Sequence, residues 1–154
     1  MPTHYEGSKK ERIALDSFIK FMRASESVTS KLAHGLADYN LTMSQFGTLE
    51  VLYHLGPMCQ KAIGEKLLKS GGNITMVVNN LEDRGLVSRK RRESDRRFVS
   101  VALTEEGTAL IEEVLPHHVE LIVEMFGVLS DDEQQRMGEF CKRIGLAAAS
   151  EEES

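Results

Sequence analysis

The chain has 154 residues, 41% of them hydrophobic and 28% charged, with two cysteines and no tryptophan. This is the size and composition of one compact domain, or of a domain with an arm, and it excludes wholesale disorder, a fibrous repeat and a disulfide scaffold. The net charge of -5 is unevenly spread: residues 1–83 hold nine basic and nine acidic groups, residues 84–97 seven and two, and residues 98–154 three and thirteen.

A single dense basic segment in an otherwise acidic chain fits a molecule that meets a polyanion through one element. No run approaches the ~18 apolar residues of a membrane span, and the opening MPTHYEGSKKER carries no apolar signal segment. The expectation is a cytoplasmic protein without membrane contact, with Cys59 and Cys141 as free thiols.

From Lys9 to about Tyr39 there is no proline and one glycine, and Phe18, Ile19, Met22, Leu32 and Leu36 recur at helical spacing. The reading is one helix of ~46 Å, long enough to pack partly on another chain. Thr42 and Gln45 have the spacing of a capping box, opening a helix over 44–55 that stops at Gly56-Pro57. A short helix follows over 60–68, broken by Lys69-Ser70-Gly71-Gly72.

In the helix from Gly72 to Arg84, Ile74, Val77, Val78 and Leu81 fall at i, i+3, i+4 and i+7, a core stripe. The opposite face carries Asn73, Met76, Asn79, Asn80 and Asp83, with Thr75 alongside. Gly85 suits a left-handed helix end. Residues 86–89 and 98–103 read as strands around the polar tip Lys90-Arg91-Arg92-Glu93-Ser94-Asp95-Arg96-Arg97. Thr104 caps a helix whose stripe runs from Leu110 to Phe126, with Pro116 predicting a kink. Ser130 and Glu133 open a last helix with Met137, Phe140, Cys141 and Ile144 on one side. The fold class is therefore mainly α, a winged helix-turn-helix with a two-stranded β-wing and helical arms.

The segments Leu41-Thr42-x-x-Gln45-Phe46, Ile63-Gly64-Glu65-Lys66-Leu67, Leu81-Glu82-x-x-Gly85-Leu86-Val87, Asp95-Arg96-Arg97 and Leu103-Thr104-x-x-Gly107 closely resemble the MarR family of bacterial transcription regulators. The resemblance covers about residues 10–148. It departs from a generic helix-turn-helix at Leu68, where a turn glycine is common, and at Lys69, where an apolar residue is common. It implies a homodimer with dimerisation helices over 8–39 and 108–149, a DNA-binding winged helix over 40–107, and a ligand-released repressor reading a pseudo-palindromic operator. Two-fold symmetry then sets the reading helices ~34 Å apart.

For double-stranded DNA the candidate residues are Ser70, Gly71, Asn73, Thr75, Met76 and Asn79 in the major groove, where amides and hydroxyls reach base edges or phosphates and a methionine touches a thymine methyl. The resemblance implies that Arg97 enters the minor groove with Asp95 orienting it. Arg89, Lys90, Arg91, Arg92 and Arg96 are expected on phosphates, as are the free N–H groups near Ser44 and Gln60, although simple capping explains those two equally. A small apolar or aromatic effector is expected in a cleft lined by Phe21, Met22, Leu49, Tyr53 and Val114, a composition that also describes an ordinary core.

Cys59, ahead of a helix start, is either a redox-sensing thiol or a small residue at a cap. The family's thiol sensor lies near the first helix, where this chain has no cysteine. Cys141 is expected in the core and His118 at the dimer contact. No two of His34, His54, His117 and His118 stand at i, i+4, so no metal is expected, and no catalytic or cofactor motif is present, so the chain is not expected to be an enzyme. The competing class is a winged helix that binds protein instead of nucleic acid.

Overall fold

The computed structural model describes residues 3–150 apart from 68–70 and 96. The expectations placed on Leu68, Lys69, Ser70 and Arg96 lie outside the described residues. The elements are α1 (Lys9–Ala37), α2 (Met43–Leu55), α3 (Gln60–Leu67), α4 (Gly71–Asp83), β1 (Val87–Arg91), β2 (Val99–Leu103), α5 (Glu105–Phe126) and α6 (Asp131–Ser150). Two compact units divide between Val119 and Glu120, inside the continuous helix α5.

Local chemistry sets the helix starts. Ser8 with Glu11 and Thr42 with Gln45 form reciprocal capping boxes at α1 and α2. Ser130 and Glu133 exchange the same pair of bonds ahead of α6. At the end of α4, Gly85 takes φ +73°, a conformation that a residue with a Cβ resists.

The core of the first unit draws on every element in it: Leu36 from α1, Phe46 and Leu49 from α2, Ile63 from α3, Ile74, Val78 and Leu81 from α4, Val87 and Val101 from the sheet, Ile111 and Val114 from α5. Each such side chain contributes about 1.5–3 kcal/mol of burial. The sheet is antiparallel, with Val87 opposite Leu103 and Arg91 opposite Val99. A third strand position comes from the loop ahead of α3, where Met58 and Val101 exchange backbone bonds of 3.1 and 2.8 Å.

The turn from the sheet into α5 explains the Leu-Thr-x-x-Gly sequence. Thr104 N–H donates to the Leu86 carbonyl at 3.1 Å, its hydroxyl donates to the Gly85 carbonyl at 2.6 Å, and the same oxygen accepts from Gly107 N–H at 3.0 Å. These bonds draw α5 so close to Leu86 that a Cβ on Gly107 would run into the Leu86 carbonyl oxygen.

Two expectations are corrected, one on His118 and one on Cys141. His118 is only 9% exposed and packs on Phe46 of its own chain, ring centroids 4.2 Å apart, so it offers little surface to a second copy. Within the chain α1 buries only Leu32 and Leu36 and leaves Phe18 and Met22 exposed, which leaves the reading of that helix unchanged. No residue of α6 is buried, Phe140 and Ile144 are exposed and Cys141 is only partly covered, so that stripe is no core within one chain.

Candidate nucleic-acid interface

Helix α4 buries Ile74, Val78 and Leu81 to 1% exposure or less, and that fixes its rotation. Asn73, Thr75, Met76, Asn79 and Asn80 consequently face outward, Met76 at 72% exposure. Beside this face stands the start of α2. Thr42, Ser44 and Gln45 line a groove of about 520 Å³ with Asn73, Met76, Val77 and Asn80.

Three neighbouring elements brace the outward face. From α2, Gln45 Nε2 donates to Asn80 Oδ1 at 2.8 Å. From α3, Gln60 Nε2 donates to Thr75 Oγ1 at 3.3 Å. From β1, Arg89 spreads its fork over three acceptors: Nε to Gln60 Oε1 at 3.0 Å, Nη1 to Glu82 Oε1 at 2.9 Å and Nη2 to Asn79 Oδ1 at 2.6 Å. The Arg89 side chain is 21% exposed. Three of the five N–H donors of Arg89, expected on phosphate, are thus engaged inside the protein, which makes it a brace between β1, α3 and α4. The Gln60 side chain is likewise a strut between α3, α4 and β1, and these bonds leave its backbone N–H at the start of α3 unused.

The wing tip closes on itself. Phe98 N–H donates to the Asp95 carbonyl at 3.1 Å and Arg92 N–H to the Phe98 carbonyl at 3.0 Å. The Arg92 guanidinium lies 5.9 Å over the Phe98 ring, a cation–π contact. Asp95 grips Arg97 through Nε to Oδ1 at 3.0 Å, Nη2 to Oδ2 at 2.9 Å and the backbone N–H at 3.1 Å. The Arg97 bonds hold the Asp95 carboxyl below its ordinary range, and Asp95 raises Arg97 in turn. Arg97 keeps its side chain 87% exposed while gripped, and Lys90 and Arg92 are exposed beside it.

Of the five residues expected around an effector, two are closed off and three lie at the surface. Leu49 at 0% and Val114 at 1% exposure are sealed in the core, because apolar type alone cannot separate a core wall from a cavity wall. Phe21 and Met22 are exposed on α1, and Tyr53 is exposed with its hydroxyl 3.5 Å from Glu112 Oε1. The cavity in that region, about 430 Å³, is instead lined by Thr29, Met43, Ser44, Phe46, Gly47, Glu50, Leu67 and His118. His118 Nδ1 is buried there, with no hydrogen-bond partner among the described residues. Cys59 is exposed and free.

No group of three or more metal-binding side chains comes together among the described residues, and no described helix is long and apolar enough to cross a membrane. Sequence reasoning missed the bracing roles of Gln45, Gln60, Glu82 and Arg89. Their partners lie up to 35 residues away, and no local spacing announces such pairs.

An outward polar helix braced between a second helix and a basic β-hairpin defines a winged helix-turn-helix regulator. Residues 30–114 match the family described as Transcriptional regulator SarA/Rot, and the chain belongs to that family of helix-turn-helix transcriptional regulators. The HTH-type transcriptional regulator MhqR of Bacillus subtilis (strain 168) is 37% identical over 135 residues, 88% of this chain and 93% of that protein. Among solved structures, AbsC, a MarR family transcriptional regulator from Streptomyces coelicolor, superposes with a TM-score of 0.83 at 23% identity over 95% of this chain and 99% of its own. The S. aureus MepR–DNA complex gives 0.78 at 23% identity over 92% and 99%. At those identities the two structures share the fold.

Proposed function

We propose that two copies of the chain form a repressor that seats α4 of each copy in successive major grooves of a pseudo-palindromic operator and lays each wing along the neighbouring minor groove. The observation that carries this reading is the outward face of α4, short and hydrogen-bonding, fixed by core packing beside an exposed cationic hairpin. In it Asn73, Thr75, Met76 and Asn79 meet base edges or phosphates. Ser44 and Gly71 meet phosphates at helix starts. Lys90 and Arg92 supply cationic phosphate contacts, and Arg97 enters the minor groove where narrow A·T-rich sequence deepens the negative potential. The dimerisation helices would be 8–39 and 108–149, consistent with the exposed apolar residues Phe18, Met22, Phe140 and Ile144.

Binding to random duplex should fall steeply with added salt. Arg97→Ala is expected to weaken operator binding at least tenfold, and Arg143→Ala on α6 to leave it unchanged; equal effects of the two would place the interface elsewhere. Repression is read from the resemblance, and removing the gene should raise transcription from promoters the protein occupies. Release by a small apolar or aromatic effector is supported by the cavity that holds His118. A panel of small aromatic compounds should include one that lowers DNA affinity in the wild type and not in a variant with that cavity filled, Gly47→Leu.

A further inference from the structure

We propose that α4 reads DNA as a hydrogen-bond donor surface, with Arg89 and Gln45 as the positioning residues that impose this polarity, so that Asn79 selects guanine. The inference rests on the DNA reading above and concerns its specificity.

Two hydrogen-bond relays fix which ends of the side chains donate and which accept. Arginine has no acceptor, so the Asn79 amide must turn its oxygen toward Arg89 Nη2, at 2.6 Å, and its nitrogen away. The second relay begins at backbone. Thr42 N–H can only donate, so Gln45 offers it Oε1 at 3.0 Å; Gln45 Nε2 is then the group left to reach Asn80, which must answer with Oδ1 at 2.8 Å. Two of the three outward asparagines, Asn79 and Asn80, therefore have their oxygens engaged from within, and among the described residues neither amide nitrogen has an acceptor beside it.

An asparagine with both ends available reads adenine, donating to N7 and accepting from N6. In Asn79 that pairing is weakened: one lone pair of its oxygen is held by a guanidinium, a positive neighbour that repels an N–H approaching the other. What it presents is an NH₂ group. In the major groove guanine is the base whose edge offers two adjacent acceptors, O6 and N7, and no donor. Cytosine, which presents an N4 donor, is the worst match.

Selection of bound duplexes from a random pool tests this, the Asn79 contact being the base pair whose preference disappears in Asn79→Ala. Guanine is expected there for the wild type, with about tenfold loss for each other base. Asn79→Asp keeps an acceptor for Arg89 and removes the N–H donors, so its preference should swing to cytosine. Arg89→Ala, shown to be folded by circular dichroism, should admit adenine at that position, a change of base profile that a purely structural role would not produce. A wild-type profile led by another base, or guanine retained in Asn79→Asp, overturns the proposal while leaving DNA binding intact; an unchanged profile in Arg89→Ala overturns the positioning role. If Arg89→Ala does not fold, Asn79→Asp still decides. Absence of duplex binding at low salt sinks the DNA reading and this inference together.

Discussion

Gly107 shows how one residue fixes the junction between sheet and helix. Its missing Cβ lets α5 start against the Leu86 carbonyl, where three bonds around Thr104 complete the turn. Gly107→Ala should destabilise the fold by about 2–3 kcal/mol through forced displacement, measured as a drop in the denaturant midpoint at unchanged slope. His118 works by titration. Burial depresses its imidazole, with the nearby Glu50 charge acting more weakly the other way. A base depressed in the folded state leaves the unfolded chain to bind the proton first. Its contribution is therefore full above the ordinary histidine range near ~6.5 and is lost as pH falls through the lower folded value. The thermal midpoint should be lower at about pH 5 than at about pH 7.5, and His118→Phe should narrow that gap; an equal gap in the variant would assign the effect elsewhere.

At the scale of elements, what could be read from sequence was what short-range chemistry determines. The capping pair Thr42 and Gln45 lies three residues apart, and both of its bonds are present. The Ile74, Val78 and Leu81 stripe set the outward face of α4 before any tertiary contact was known. The braces could not be read, because Arg89 finds Gln60 and Asn79 only after the chain has turned from α3 through α4 into the sheet. The cleft residues failed for a related reason: Leu49 and Val114 have the chemistry of a lining and the location of a core. Since Gln45 serves both the α2 cap and Asn80, Thr42→Ala should do more than cost the cap about 1 kcal/mol. Hydrogen exchange is expected to quicken at the start of α2 and also along the Asn80 side of α4; an effect confined to α2 would separate the two roles.

For the whole molecule, a single chain leaves a conspicuous amount of apolar surface on its long helices. Ile13, Phe18, Phe21 and Met22 are 46–58% exposed on α1, and Phe140, Ile144 and Leu146 are 55–62% exposed on α6. Large exposed apolar areas on a stable protein mark an interface. Sedimentation should give twice the mass of one chain, and the paired change Phe18→Glu with Phe140→Glu should halve it, with loss of operator affinity well beyond the Arg97→Ala effect, since one half-site alone would then be held. A paired variant that still sediments as a dimer would place the contact on other surfaces.

The stitch between Met58 and Val101 has a mechanical corollary. A hairpin tethered only at its own base would swing independently, like a pennant. Here the residue leading into α3 is sewn to the middle of the second strand, so the finger and the helical head turn together, as a rudder turns with its stock. Any event that rotates one must carry the other, and both grips on a duplex should loosen in the same motion instead of one after the other.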